Sequence, residues 1–246
     1  NLRPTWIGYA DGDDRQQRDN VLNALKWLYR PDSHTARLTP GCGYTVGMTP
    51  GMVLSALTAI DHPAAEEALQ GLLLSAEPSG GFAEMNRPDD TPSRDVWGLH
   101  RARPWEGGIN CSAVVQFLLG FRPNAPERRV SFAPHLPAGC SEMTARNIRV
   151  AEAMLTVRVV RTADLITATV RLEQGKQPLE VDLTVAPLGG REQGGHVRET
   201  LDPGAGRTEV VRALFGMDPI TSGTVSIKGQ PVTINNVQDS IEHGMV

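Results

Sequence analysis

The sequence predicts a multi-domain α+β protein, with helices over its first half, antiparallel strands after them and a short α/β segment at the end. Three observations predict this. Apolar residues recur at helical spacing as far as Leu119. From Arg129 to Ala186 they recur at a period of two. From Gly204 a Gly-Ala-Gly-Arg-Thr turn opens a last helix, and a Gly-containing hairpin follows it. The predicted regions are a helical part over 1–127, an antiparallel β-domain over 128–188, a linker over 189–203 and the closing segment over 204–246. The chain is long enough for one large domain or two small ones, and its 40% hydrophobic and 21% charged residues suit a protein that buries a core.

Along the chain, Val21, Leu22, Leu25 and Leu28 place a helix over Gln16 to Tyr29 that Pro31 ends, with Trp27 and Tyr29 read as core. Thr39 to Gly51 is a Gly- and Pro-rich loop, too long for a simple connection. Thr49 is placed to cap a helix from Pro50 to about Ile60. Pro63 opens the next helix, with Leu69, Leu72, Leu73 and Leu74 apolar, and Asp61-His62 joins the two as a helical hairpin. A second long loop, Met85 to Pro104, leads through Pro104-Trp105-Glu106-Gly107-Gly108-Ile109-Asn110 into a helix from about Ile109 to Leu119.

Strands follow at Arg129–Phe132, Thr144–Val150, Met154–Arg161, Leu165–Leu172 and Leu179–Ala186, with turns at Ala163-Asp164 and Gly175-Lys176. Charged and Thr residues alternate with the apolar ones, as in an antiparallel sheet with one wet face. Helices over Glu209–Phe215 and Val237–Glu242 flank a hairpin at Thr224–Ile227 and Pro231–Ile234.

A net charge of −4 excludes bulk attraction to nucleic acid or another polyanion. The three cysteines are widely spaced with no CxxC pair, so neither a disulfide framework nor a zinc site is expected, and no metal ligands are assigned. No apolar run reaches membrane-spanning length and no signal segment opens the chain, so direct membrane insertion is not expected and a cytoplasmic location is. The chain begins at Asn1 rather than Met, which leaves its N-terminus open.

Carboxylates in the helical part are the first candidate chemistry. Glu84 follows two glycines and Phe82, where backbone approaches a ligand closely and an apolar neighbour desolvates the carboxylate. Glycosidic hydrolysis needs two carboxyl groups roughly 5–9.5 Å apart. The candidate partners are Glu106, Asp89, Asp90 and Asp95; Glu106 is equally well explained as a helix N-terminal acid stabilised by the dipole, and Asp89-Asp90 as a solvated turn. The competing reading of Glu84 is a helix cap or an ion pair with Arg87. Tyr44, Phe82, Trp97 and Trp105 are expected on loops, where sugar rings could stack, and Arg103 is placed to bond sugar hydroxyls.

The stretches GYTVGMTPGM (from Gly43), GGFAEM (from Gly80), RPWEGGINCSAV (from Arg103) and PHLPAG (from Pro134) resemble glycoside hydrolases built on an (α/α) toroid with a C-terminal β-sandwich. The resemblance implies a partial toroid, an oligo- or polysaccharide substrate, no cofactor, and Glu84 as the loop-borne catalytic base with Trp105 opening the next helix. It also implies a general acid upstream of Asn1, so this part alone would be inactive.

At the other end, GAGRTEVVRALFGMDPITSGTVSIKGQPVTINNVQDSIEHGM, from Gly204 on, resembles the second ATP-binding cassette of bacterial ribose-, xylose- and galactose-type importers. A phosphate loop presents backbone N–H groups to phosphate, with a basic side chain on the β/γ oxygens and a hydroxyl on magnesium. The resemblance assigns Gly204 and Gly206 to the loop, Arg207 to the place of the lysine and Thr208 to magnesium. The fold it implies is a truncated P-loop α/β fragment. ATP and magnesium would be cofactors only of a complete cassette, and a transporter permease a partner of the tail alone. Leu201 stands where the loop's first glycine belongs, and the polar stretch His196 to Thr200 is unfit for a buried parallel strand.

Three readings follow. One is a glycoside-hydrolase fragment acting by paired carboxylates. The alternative is the ATP-binding component of a sugar transporter, represented by an incomplete cassette. The third joins pieces of two sugar-related genes in one reading frame.

Overall fold

The computed structural model describes residues 15–30, 35–36, 45–86, 103–162, 166–185, 195–203, 224–227 and 230–233. The chain forms two compact units, Asn1–Phe117 and Leu118–Val246.

In the first unit, α1 (Arg15–Leu28), α2 (Thr49–Ala59), α3 (Ala65–Ser75) and most of α4 (Pro104–Leu119) are accompanied by two short ribbons. One pairs β1 (Tyr29–Arg30) with β2 (Thr35–Ala36), the other β3 (Thr45–Val46) with β4 (Met85–Asn86). Helix α1 buries Val21, but Trp27 is 74% exposed, which corrects its assignment to the core. Helix α2 buries Val53, Leu54, Ala56 and Leu57. Its N-cap is Met48 rather than Thr49, without a side-chain cap, and Pro50 in the first turn loses only an N–H that the helix cannot use. Helix α3 buries Leu69 and Leu72 and turns Leu73 and Leu74 outward, because neighbouring helical positions lie about 100° apart. Helix α4 starts at Pro104, five residues before the expected Ile109, so Trp105 lies in its first turn rather than on a loop, and Glu106 is an acid of that turn. It stops at Gly120, whose φ of 55° is left-handed and whose missing Cβ would meet the Ala133 carbonyl at 2.5 Å.

The second unit contains β5 (Arg122–Asn124), β6 (Arg129–Phe132), β7 (Glu142–Val150), β8 (Ala153–Arg161), β9 (Ile166–Gln174), β10 (Leu179–Val185), β11 (Gly195–Leu201), β12 (Thr224–Ile227) and β13 (Gln230–Val232). Three of them form an antiparallel sheet ordered β7-β8-β9, and six form a sheet ordered β13-β12-β11-β10-β6-β5. Inward residues of both sheets belong to one buried cluster that includes Leu155, Val157 and Val159 on β8, Val170 on β9, Phe132 on β6 and Leu183 on β10.

Two features depart from the sequence reading. Strands β6 and β10 pair in parallel, Val130 opposite Val181, because the chain builds the three-stranded sheet between them and re-enters in the same direction. Part of the expected linker is strand β11, paired with β10 along its whole length from Leu179↔Leu201 to Val185↔Gly195. Only Val197 and Leu201 of β11 are buried, and these two suffice to hold one face while polar residues occupy the other. On its far side β11 pairs antiparallel with β12, so a hairpin of the closing segment extends this sheet.

The polar face of β10 and β11 is tied together at Asp182. Its Oδ2 accepts hydrogen bonds from Arg198 Nε (3.1 Å) and Nη2 (2.8 Å), and its Oδ1 lies 2.6 Å from His196 Nε2. Burial opposes ionisation of Asp182, but the bonds from Arg198 and His196 outweigh it and hold the carboxyl below its ordinary value of 3.8. A depressed folded-state pKa stabilises the fold above the unfolded value, and that stability is lost as pH falls through the folded one. Asp182→Asn is therefore expected to cost about 1 kcal/mol in urea unfolding at neutral pH, with the gap to wild type closing as pH falls below the ordinary carboxylate range.

Candidate functional site

The β3–β4 ribbon and the first turn of α4 bring the two predicted carboxylates together. The ladder pairs Thr45 with Asn86 and Val46 with Met85, and it continues where Gly47 N–H donates to the Glu84 carbonyl at 2.8 Å. Helix α4 meets this ribbon through Asn110, fully buried in an otherwise apolar stretch. Asn110 Nδ2 donates to the Gly47 carbonyl (2.8 Å), and Oδ1 accepts from Gly51 N–H (2.9 Å). Glycine is required at both contacts. A Cβ on Gly51 would lie 2.5 Å from Asn110 Oδ1, and one on Gly47 would lie 1.7 Å from the Ala83 carbonyl oxygen and 3.0 Å from Glu106 Cγ.

This packing sets Glu106 against Gly47 and buries it, leaving 1% of its surface accessible. Arg103, the residue before α4, joins the two acids. Its Nη1 forms an ion pair with Glu84 Oε1, and its Nε stands 3.5 Å from Glu106 Oε2. The hydrogen bond to Glu84 raises the Arg103 pKa further, burial acts against that, and the charges of Glu106 and Glu84 add to it. Neither oxygen of Glu106 has a hydrogen-bond partner among the described residues, and the same holds for Thr45 Oγ1 and Asn86 Oδ1.

Chemically, the cluster offers two carboxylates on one guanidinium. Glu84 is partly open to solvent, at 21% of its side chain, and is the more accessible proton acceptor. Glu106 is enclosed, so its reach to a substrate is smaller. Glu84 pairs with Arg103, whereas Arg87, the partner expected from the sequence, lies outside the described residues.

Of the predicted sugar platforms, Trp105 is 65% exposed on the first turn of α4, whereas Phe82 is buried and presents no stacking face. Tyr44 and Trp97 lie outside the described residues, as do Gly204, Gly206, Arg207 and Thr208. Sequence reasoning missed Thr45, Asn86 and Asn110. The last carried a signal, being a lone amide in the run Ile109-Asn110-Cys111-Ser112-Ala113-Val114-Val115.

A cavity of about 550 Å³ lies elsewhere in this unit, lined by Leu22, Leu25 and Tyr29 of the α1 region, Leu57 of α2 and His62, and it includes none of the predicted site residues. Burial, then the Glu67 charge, pushes the Tyr29 phenol up. Among the described residues, no three His, Cys, Asp or Glu side chains are grouped to hold a metal, and no helix is long and apolar enough to cross a membrane.

No protein-family model matches the chain. Known proteins similar to it share a short segment. The ribose import ATP-binding protein of Lactococcus lactis subsp. lactis is 55% identical over 42 residues, which are 17% of this chain and 8% of that protein. A ribose import ATP-binding protein of Rubrobacter xylanophilus is 52% identical over 42 residues, with the same 17% and 8% coverage. A putative ribose/galactose/methyl galactoside import ATP-binding protein of Burkholderia ambifaria is 50% identical over 42 residues, again 17% and 8%. The chain thus spans 8% of the length of these curated relatives. The matched length equals that of the stretch 204–245 that carries the importer resemblance. Over one short segment, the chain is similar to ATP-binding proteins of sugar importers.

Proposed function

We propose that the chain carries part of an ATP-binding component of a sugar transporter, whose tail binds nucleotide phosphates. The observation that carries this reading is the identity of 55% over 42 residues with a ribose import ATP-binding protein. Gly204 and Gly206 would let backbone N–H groups reach the phosphates, Arg207 would meet the β/γ oxygens, and Thr208 would hold the magnesium of the bound nucleotide. Hydrolysis needs further residues that place magnesium and water. The tail would meet a permease on the cytoplasmic side, and no nucleic-acid partner is assigned. Titration of the chain with a fluorescent ATP analogue and magnesium tests the reading. Saturable binding that weakens about tenfold in Thr208→Ala and Arg207→Ala, a loss of one or two charge-assisted contacts, is the expected result. Binding that ignores both substitutions would refute it.

A second reading, hydrolysis of an oligosaccharide, is favoured by the Glu84–Arg103–Glu106 cluster and the exposed Trp105 beside it in sequence. In it Glu84 is the base, and a partial toroid followed by a β-sandwich is the architecture, which two sheets around one core support. Cleavage of α-linked gluco-oligosaccharides by the purified chain, lost in Glu84→Gln, would establish it. Equal cleavage by wild type and Glu84→Gln would remove Glu84 from the site.

A further inference from the structure

Helix α1 leaves much of its apolar side unpacked. Val21 is buried, whereas Leu22 and Leu25 are only half-buried. Both leucines line the cavity of about 550 Å³ in the first unit. Protein interiors pack so closely that few voids exceed the size of a water molecule. A space this large between helices falls instead in the range of roughly 300–1,000 Å³ typical of small-molecule sites.

The cavity has two fixed walls. Asp19, Leu22, Asn23 and Lys26 recur every three or four residues and so share one face of α1, and Tyr29 continues that face where the helix ends. The backbone of Tyr29 is held by its pairing with Ala36. Opposite them lie Leu57 of α2 and, on the connection to α3, His62 and Ala64. His62 N–H donates to the Leu57 carbonyl (3.0 Å), its own carbonyl accepts from Ala65 N–H (3.0 Å), and its Nδ1 accepts from Ala64 N–H (3.2 Å). Arg18 Nη1 donates to the Ile60 carbonyl and ties the two walls together.

The lining divides by chemistry. Leu22, Leu25, Leu57 and the Tyr29 ring supply apolar surface, while Asp19, Asn23 and Lys26 are exposed. Asp19 and Lys26 carry opposite charges and stand two helical turns apart, about 10 Å along α1. An ion of either sign would gain at one of them and lose at the other. A neutral polar group meets no such opposition and finds partners in the Asn23 amide and the His62 ring. We propose that this cavity binds a small uncharged molecule with an aromatic or alicyclic body and one polar group, its body against the leucines. The site stands apart from both functional readings above, since it includes neither the nucleotide loop nor the Glu84 cluster.

The test is titration of the full chain with N-phenyl-1-naphthylamine, a neutral probe whose fluorescence rises in apolar surroundings. Binding should saturate at one probe per chain. Leu22→Trp, which fills the cavity, should weaken it about tenfold or more, a loss of about 1.4 kcal/mol. Leu74→Ser, which removes an apolar side chain 80% exposed on α3, should leave it intact. Binding without saturation, undiminished binding in Leu22→Trp, or an equal loss in Leu74→Ser overturns the site. Tighter binding of the anionic anilinonaphthalene sulfonate than of the neutral probe overturns the choice of ligand. Should Leu22→Trp fail to fold, Leu25→Gln decides, because it makes the same wall polar, and undiminished binding there also overturns the site.

Discussion

Gly47→Ala is expected to destabilise the first unit by about 3 kcal/mol or more, the largest effect of an added methyl among the described glycines of that unit. The added Cβ would sit 1.7 Å from the Ala83 carbonyl oxygen, and that atom is backbone rather than the movable end of a side chain. The strand cannot step aside freely, because Gly47 donates to the Glu84 carbonyl and accepts from Asn110. The same methyl would press on Glu106 Cγ and so disturb the arrangement of the acids around Arg103. Gly107→Ala is the matched control. Nothing lies within 4 Å of its Cβ position inside α4, so it should be neutral or stabilise by up to about 1 kcal/mol. Urea unfolding followed by circular dichroism reads both, and equal midpoints for Gly47→Ala and wild type would mean that the ribbon and α4 do not pack as described.

Asn110→Leu is the second large effect, with an expected loss of about 2–4 kcal/mol. Leucine keeps the branching of asparagine and suits an apolar helix, but its bulkier methyls cannot hold the 2.8–2.9 Å contacts, so overpacking adds to the loss. What it removes is the only side chain that bonds both the Gly47 carbonyl and the Gly51 N–H among the described residues. Both groups would then be buried without that partner. Because the two substitutions share Gly47, the double variant Gly47→Ala/Asn110→Leu should lose less than the sum of the singles. Additive losses would place the two residues in independent contacts. The same double-variant cycle by urea unfolding supplies the measurement.

The parts of the fold legible in the sequence were those whose pattern one element sets by itself. Strands β8, β9 and β10 show it most plainly, since Val157, Val159, Val170, Val181 and Leu183 alternate with polar residues and are all buried. Strand β11 was not legible, because only Val197 and Leu201 face inward and the residues between them read as a polar linker. Its role depends on pairing with β10, which the burial pattern of β11 taken alone does not show. The parallel pairing of β6 with β10 is likewise a property of chain path rather than of composition.

At the candidate site the residue types were legible and their roles less so. Glu84 and Arg103 were both singled out, but their ion pair joins positions on either side of a long connection. Phe82 looked like a sugar platform because it follows two glycines, yet it is buried like any apolar side chain near a core. Glycines 47 and 51 read as loop punctuation. Their function is to admit Asn110 and Glu106 at distances no side chain permits, which only the three-dimensional contact reveals.

The most direct test of the proposed nucleotide site is competition between ATP and AMP for the fluorescent analogue bound to the full chain. A phosphate loop grips the β- and γ-phosphates, so ATP and ADP should displace the analogue at least about tenfold more effectively than AMP, with the preference lost in Thr208→Ala. Displacement by AMP as effective as by ATP, or a preference unchanged in Thr208→Ala, would contradict the account.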